Sequence, residues 1–419
     1  MTRPGYKMTE IGEIPKEWTS ETLDSCCDLI KDGTHTPPKR KQKGVPLLSA
    51  VNVNSGHIDF ENNVTYISEE DYAKIHKSIP IESGDVLMTI VGTLGRSAIV
   101  KTDLKFTVQR SVSILRPSRE KLNVSYFFYS LNSERTIKQL LLHSKATAQS
   151  GIYLGDISKI TVAYPPSQEQ QKIAEILTTA DRKIELIDKE IQAAEKLKKG
   201  LMQTLLTRGI GHTKFKMTEI GEIPENWDIK KLSEVSECRR EIIEPLKNKS
   251  KVYIGLENIT PGKIKISTFG NSTVLKSSKF KFYKSDILYG KLRPYLDKVA
   301  VAEQDGICST DIIPIIGKQI DSYFLVYQLH SNLFLQFAIS TISGTNHPRT
   351  SWEEISHFSI PCPPLPEQQK ISEILTTADR KIELLNRKKK QAERLKKGLM
   401  QILLTGQVRV KIDPSRAEN

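Results

Sequence analysis

Gln170-Gln-Lys-Ile-Ala-Glu-Ile-Leu-Thr-Thr-Ala-Asp-Arg-Lys-Ile-Glu-Leu186 recurs 198 residues later as Gln368-Gln-Lys-Ile-Ser-Glu-Ile-Leu-Thr-Thr-Ala-Asp-Arg-Lys-Ile-Glu-Leu384. Ile173, Leu177, Ala180, Ile184, Ile187, Ile191 and Ala194 step alternately by four and three residues, which is the a/d seam of a coiled coil. The second copy has Ile371, Leu375, Ala378, Ile382, Leu385, Lys389 and Ala392 in the same places. Lys389 stands where the first copy has Ile191, and a lysine in a seam lowers stability while setting register. Past Ala194 and Ala392 the phase is expected to slip, with Leu197, Leu201, Leu205 and Leu395, Leu399, Leu403 continuing the face.

The ends of these segments carry start and stop signals. Ser167 and Gln170 have the spacing of a capping box, and Pro366 fits a first helical turn. Tyr164-Pro165-Pro166 and Cys362-Pro363-Pro364 stiffen the approach, and Gly209 and Gly406 suit helix ends. Gly200 and Gly398 lie inside the pattern, where each costs about 1 kcal/mol against alanine, so a close approach or a kink is expected there. Each helix should run for about 38 residues, or roughly 55 Å. Matching seams within one chain pair most simply as antiparallel helices; parallel pairing between two chains is the rival.

A second repeat frames the first. Lys7-Met-Thr-Glu-Ile-Gly-Glu-Ile-Pro15-Lys-Glu-Trp18 returns as Lys216-Met-Thr-Glu-Ile-Gly-Glu-Ile-Pro224-Glu-Asn-Trp227. Between the repeats, residues 19–163 and 228–361 share little obvious sequence. The chain therefore reads as a first module (1–163), a spacer helix (164–209), a second module (210–361), a second spacer helix (362–407) and a tail (408–419). Within the modules, apolar runs such as Val45–Val53, Asp85–Val91, Ser97–Val100, Lys251–Leu256 and Asp286–Tyr289 end in turn signals and read as strands. Tyr126–Leu142 and Ser322–Ile339 read as helices. The expected fold is α+β: two α+β modules with partly antiparallel sheets, two long antiparallel coiled-coil helices, and an internal pseudo-two-fold.

The 419 residues carry 62 Lys and Arg against 49 Asp and Glu, a net charge of +13. A polyanion such as nucleic acid is the first partner this suggests. The excess is spread over both modules and the second helical segment, which suits contact with a long polyanion at separated places. No apolar run reaches 18 residues, and the N-terminus has no hydrophobic core of a secretory signal, so no membrane contact is expected. Five cysteines without CxxC spacing argue against a disulfide framework or zinc finger and fit a reducing cytoplasm.

Candidate DNA-contacting residues lie in the loops. Thr34, His35, Thr36, Lys39, Arg40, Lys41 and Lys43 form a basic, turn-rich loop. Thr93 and Arg96 in one module, and Lys291, Arg293 and Tyr295 in the other, follow corresponding strands. Gln109, Arg110, Asn346, His347 and Arg349 complete the set. Arg and Lys suit guanine O6/N7, and Asn and Gln suit adenine N6/N7. For any one of these residues, a phosphate contact or plain solvation competes with base reading.

No metal-ligand spacing of histidines occurs, nor a GxxxxGK[ST] or GxSxG pattern, nor an Asn/Asp-Pro-Pro-aromatic tetrapeptide. No catalytic constellation is evident. A coiled-coil structural DNA-binding protein would share the charge and the helices, but would not need two unlike modules in a duplicated frame.

Gly12-Glu-Ile-Pro15-Lys-Glu-Trp18, Gly221-Glu-Ile-Pro224-Glu-Asn-Trp227 and the Pro-Pro-x-x-Glu-Gln-x-x-Ile stretches at 165–173 and 363–371 carry a family resemblance. In their doubled order they resemble the specificity subunits of type I restriction–modification systems over nearly the whole chain. The resemblance implies two target recognition domains, each reading half of a bipartite site on double-stranded DNA. It implies helices that space them and dock two methyltransferase subunits, with two restriction subunits joining the complex. The chain itself would be non-catalytic and hold no cofactor. S-adenosylmethionine, ATP and Mg would be used by the partner subunits, in a bacterial or archaeal cytoplasm.

Overall fold

The computed structural model describes residues 2–36, 38–54, 56–144, 151–244, 252–271 and 277–411. The chain forms two compact units, Met1–Ile187 with Lys388–Asn419, and Asp188–Arg387. This division cuts both long helices, Ser167–Arg208 and Leu365–Leu403. The sequential boundaries at 163/164, 209/210, 361/362 and 407/408 therefore do not describe the compact units, since each unit owns the start of one helix and the end of the other.

The reason is hydrophobic. In the first unit, Leu403 and Leu404 at the end of the second helix share a core with Ile173 and Leu177 near the start of the first, and with Ile14, Trp18 and Leu23. In the second unit, Leu205 and Leu206 join Ile371, Leu375, Ile223 and Trp227. Within each unit the helix segments thus run antiparallel. The Gly-Glu-Ile-Pro stretches are the second strands of hairpins, Tyr6–Thr9 with Gly12–Pro15 and Phe215–Thr218 with Gly221–Pro224. Trp18 and Trp227, just beyond them, are fully buried.

The helix seam departs from the expected slip. Leu197 and Leu395 are exposed (63% and 59%), while Lys198 and Lys396 lie in the face. The alternation of four and three continues unbroken as Ala194, Lys198, Leu201, Leu205 and Ala392, Lys396, Leu399, Leu403. Lys198 and Lys396 occupy equivalent seam positions because a partly buried carboxylate, Asp379 or Asp181, stands beside each. Gly200 and Gly398 are not sites of close approach, since a Cβ at either would meet nothing within 4 Å. Gly209 and Gly406 do end the helices in the left-handed region, at φ +66° and +67°.

Gln170 does not complete a capping box with Ser167, which already lies inside the helix. Its side-chain oxygen accepts from the Asn123 amide at 2.8 Å, and its amide nitrogen donates to the carbonyls of Lys121 and Pro165. Gln368 repeats this, accepting from the Asp321 amide and donating to the Pro363 carbonyl. Both glutamines are buried and clamp the module's helical layer to the long helix.

The modules share a topology despite their unlike sequences. The first has an antiparallel four-stranded sheet in the order Ser97–Ile99, Val86–Thr89, Val112–Pro117, Cys27–Asp32. The second has Val299–Val301, Ile287–Gly290, Ile312–Gly317, Ser236–Cys238 in the same order. Period-two alternation sends Val86 and Met88 to the core beneath the helices and Leu87 to a second core against a mixed sheet. Ile287, Tyr289 and Leu288 divide in the same way. In each mixed sheet one pair is parallel, Val45–Leu48 with Thr107–Val108 and Val252–Ile254 with Gly306–Cys308.

The expected single helices are each two. Val124–Leu131 and Glu134–His143 break where Ser133 accepts from the Thr136 amide. Ser322–Leu329 and Asn332–Ser340 break where Ser331 accepts from the Phe334 amide.

Candidate nucleic-acid interface

Both modules hold their loops with the same backbone scheme. The amides of Ile90 and Lys291 donate to the carbonyls of Ser111 and Asp311, each at 2.9 Å. The amides of Ile152 and Thr350 then donate to the carbonyls of Ile90 and Lys291. Bridges Val91 to Gly151 and Leu292 to Arg349 complete the match. Ser111 and Asp311 are therefore equivalent positions, as are Gly151 and Arg349. A buried asparagine supports each neighbouring turn, Asn52 accepting from the Ser49 amide and Asn258 from the Gly255 amide.

On this scaffold the sequence candidates fall into separate groups. In the first unit, Thr34 pairs with Gln109 as a parallel bridge, and the Arg110 amide donates to the Thr34 carbonyl. Thr34, Gln109 and Arg110 are thus brought together. Gly33 permits this, since a Cβ there would meet the Val108 carbonyl oxygen at 2.1 Å. His35 Nε2 lies 2.6 Å from Asp32 Oδ2, and Thr34 Oγ1 donates to the Thr36 carbonyl. Lys41 bridges to Tyr66, while Lys39, Arg40 and Lys43 are exposed along the same stretch. Arg96 forms another group, donating to Thr93 Oγ1 and Asn54 Oδ1.

In the second unit the convergence is tighter. Ser343 and Arg349 exchange both backbone hydrogen bonds, closing a loop that carries exposed Asn346 and His347 at its tip. The Arg293 amide donates to the Pro348 carbonyl at 2.7 Å, with Arg293 held at φ +53°. Arg349 Nε donates to Asp311 Oδ1 at 3.0 Å. Lys291, Arg293 and Arg349 thus stand on adjoining backbone, with Tyr295 exposed beyond them.

Ion pairs that sequence reading missed brace the sheets behind these loops. Arg116 holds buried Asp85 through two hydrogen bonds (2.7 and 3.0 Å), and Arg239 holds buried Asp286 (2.7 and 3.2 Å). Hydrogen bonding to the carboxylate raises each guanidinium's proton affinity further. The aspartates are equivalent, each following a turn and preceding a strand, yet Arg116 lies in the strand Val112–Pro117 while Arg239 lies just past the strand Ser236–Cys238. No spacing rule would have paired them.

A second missed feature joins module to helices within each unit. Tyr129 Oη donates to Asp181 Oδ2 at 2.7 Å, and Lys396 Nζ lies 2.5 Å from Asp181 Oδ1 and over the Tyr129 ring. Tyr327, Asp379 and Lys198 repeat the trio at 2.8 and 2.7 Å. Burial pushes both phenols well above their ordinary range, so they remain hydroxyl donors. The identical Thr-Thr-Ala-Asp repeats held the available signal.

Among the described residues, no group of three or more His, Cys, Asp or Glu could hold a metal ion. Known proteins resemble this arrangement along its length. A family model described as the type I restriction modification DNA specificity domain matches residues 15–196 and 224–394. The type I restriction enzyme MjaVIII specificity subunit of Methanocaldococcus jannaschii is 30% identical over 358 residues, covering 80% of this chain and 82% of that protein. The MjaIX specificity subunit of the same organism is 28% identical, with 97% and 96% covered. A type I restriction–modification S subunit from M. genitalium, known by crystal structure, has a TM-score of 0.57 at 16% identity over 99% of this chain and 100% of that one.

Proposed function

Because the chain belongs to the type I restriction–modification DNA specificity family, we propose that its two modules each read one half of a bipartite site on double-stranded DNA. As a specificity subunit the chain is not itself an enzyme. Two methyltransferase subunits dock along the long helices and supply S-adenosylmethionine chemistry, and two restriction subunits supply Mg- and ATP-dependent cleavage. The chain holds no cofactor of its own. The complex works in the cytoplasm of a bacterium or archaeon, where its DNA lies; among the described residues no helix is long and apolar enough to cross a membrane.

One observation carries the reading: a single loop-bearing topology occurs twice, with different side chains at equivalent loop positions. That is what two readers of different sequences require. The DNA-contacting residues belong to the loop groups around Thr34, Arg110 and Arg96 in the first unit and around Lys291, Arg293, Asn346 and Arg349 in the second. A structural DNA-binding protein without this role would not carry the family's signature over both modules.

Exchanging residues 19–163 for the corresponding segment of another family member should change one half-site and leave the other intact. Methyladenine mapping by long-read sequencing, after co-expression with the modification subunits, reads this directly, and changes in both halves would refute independent readers. Helix length sets the spacer between half-sites in this proposal. One added heptad in each helix adds about 10 Å, or about three base pairs of rise.

A further inference from the structure

Equivalent loop positions differ in charge where the first module has Ser111 and Gly151 and the second has Asp311 and Arg349. We infer that Arg349 reads a guanine in the second module's half-site and that Asp311 is its positioning residue. This rests on the proposal that the second module grips DNA.

Three features single out Arg349 among the exposed candidates. Its backbone is held on both sides, by bridges to Leu292 and to Ser343. Its Nε is engaged by Asp311, which is itself partly buried, while the arginine side chain keeps 42% exposure. Among the described residues its two terminal amino groups make no hydrogen bond, so Nη1 and Nη2 form a free planar pair of donors. That pair matches O6 and N7 of guanine in the major groove. Arg293, Tyr295, Asn346 and His347 are exposed without a side-chain hydrogen bond or ion pair among the described residues, so each must be ordered when DNA binds. The ordering cost for Arg349 is already met within the protein.

The Arg349–Asp311 pair also differs from the braces at Asp85 and Asp286. Those carboxylates are buried and engage two guanidinium nitrogens, which leaves the arginine no free bidentate edge. Asp311 takes one nitrogen and leaves the other two. The first module lacks the pair, so the inference applies to one half-site only.

The test uses the full chain co-expressed with its modification subunits, with methyladenine motifs mapped by long-read sequencing. The wild type should give a bipartite motif with an invariant guanine in one half. Arg349→Ala should make that one position degenerate, with discrimination falling about 5- to 150-fold, while the other half-site stays unchanged. Arg349→Lys keeps the charge without the planar fork and should retain only part of the preference. Asp311→Asn should relax the same position, and Asp311→Glu should restore it, a pattern that a purely structural contact would not produce. If Arg349→Ala does not fold, as judged by its melting curve, Arg349→Lys decides. A motif unchanged in Arg349→Lys and Arg349→Ala, with methylation falling equally at all sites, overturns the inference and assigns the arginine to phosphate. A wild type without any bipartite motif would instead sink the DNA-reading proposal beneath it.

Discussion

The two long helices open with the same glutamate, and the two units use it differently. In the second unit Glu367 accepts from the Trp227 indole at 3.0 Å and from the Ile210 amide, and contacts His212 Nε2 at 2.7 Å. In the first unit Glu169 is taken by Arg409, which reaches it through Nε and Nη2 at 2.8 Å and also binds Glu17. The Trp18 indole nitrogen is buried with no hydrogen-bond partner among the described residues. One frame has thus kept its shape while exchanging the polar partners around the helix-opening carboxylate. The hydrogen bonds to Glu169 raise the proton affinity of Arg409, as expected for a charge-assisted pair. A duplicated scaffold conserves burial and geometry first, and polar partners only as far as some group satisfies the carboxylate.

The helix-terminal glycines should show the largest common effect. A Cβ at Gly209 would meet Trp227 and Glu367 at 2.5 Å, and one at Gly406 would meet Pro15 at 2.4 Å. With the left-handed backbone added, Gly209→Ala and Gly406→Ala should each cost about 2–5 kcal/mol in denaturant unfolding. Next come the tryptophans. Trp227→Phe loses a hydrogen bond to a carboxylate and should cost about 1.5–3 kcal/mol more than Trp18→Phe, which loses only packing. Equal losses in differential scanning calorimetry would show that Trp18 has a partner of equal worth.

The tyrosine–aspartate–lysine trios allow a finer comparison. Lys198 and Asp379 are 12% and 15% exposed, against 26% and 37% for Lys396 and Asp181. Asp379→Ala should therefore cost about 2 kcal/mol and Asp181→Ala, discounted for solvent screening, about 1 kcal/mol. The smallest effect has the opposite sign. Gly200→Ala and Gly398→Ala should each raise stability by about 1 kcal/mol, because a helix-interior glycine is replaced where the methyl group meets nothing. A loss of stability on melting would mean that those sites serve something beyond the helix.

The antiparallel helices and their glycine ends were legible because each depends on local periodicity or on a repeated string. Lys198 and Lys396 were not, since their place in the seam depends on an aspartate distant in sequence. Gln170 looked like part of a helix cap because its spacing from Ser167 fits one. Its buried side chain, like that of Gln368, bonds instead to the backbone amide that caps the module's helical layer, Asn123 or Asp321, and only the fold supplies those partners. The kinship of the two modules was also hidden. It lies in strand order and in inward-facing alternation, which different apolar residues satisfy equally well. Candidate loop residues could be named from their chemistry, but their grouping depends on backbone bridges such as Thr34 to Gln109 and Leu292 to Arg349.

Because the first unit takes Lys396, Leu403, Leu404 and Arg409 from beyond the second module, synthesis must pass Arg409 before that unit has all these parts. A premature stop after Gly209 would not yield a smaller reader of half a site. It would leave Asp181 and Glu169 without their cations and Trp18 without part of its cover. The architecture thereby makes truncated products incomplete folds, open to degradation, rather than free recognition modules competing for DNA.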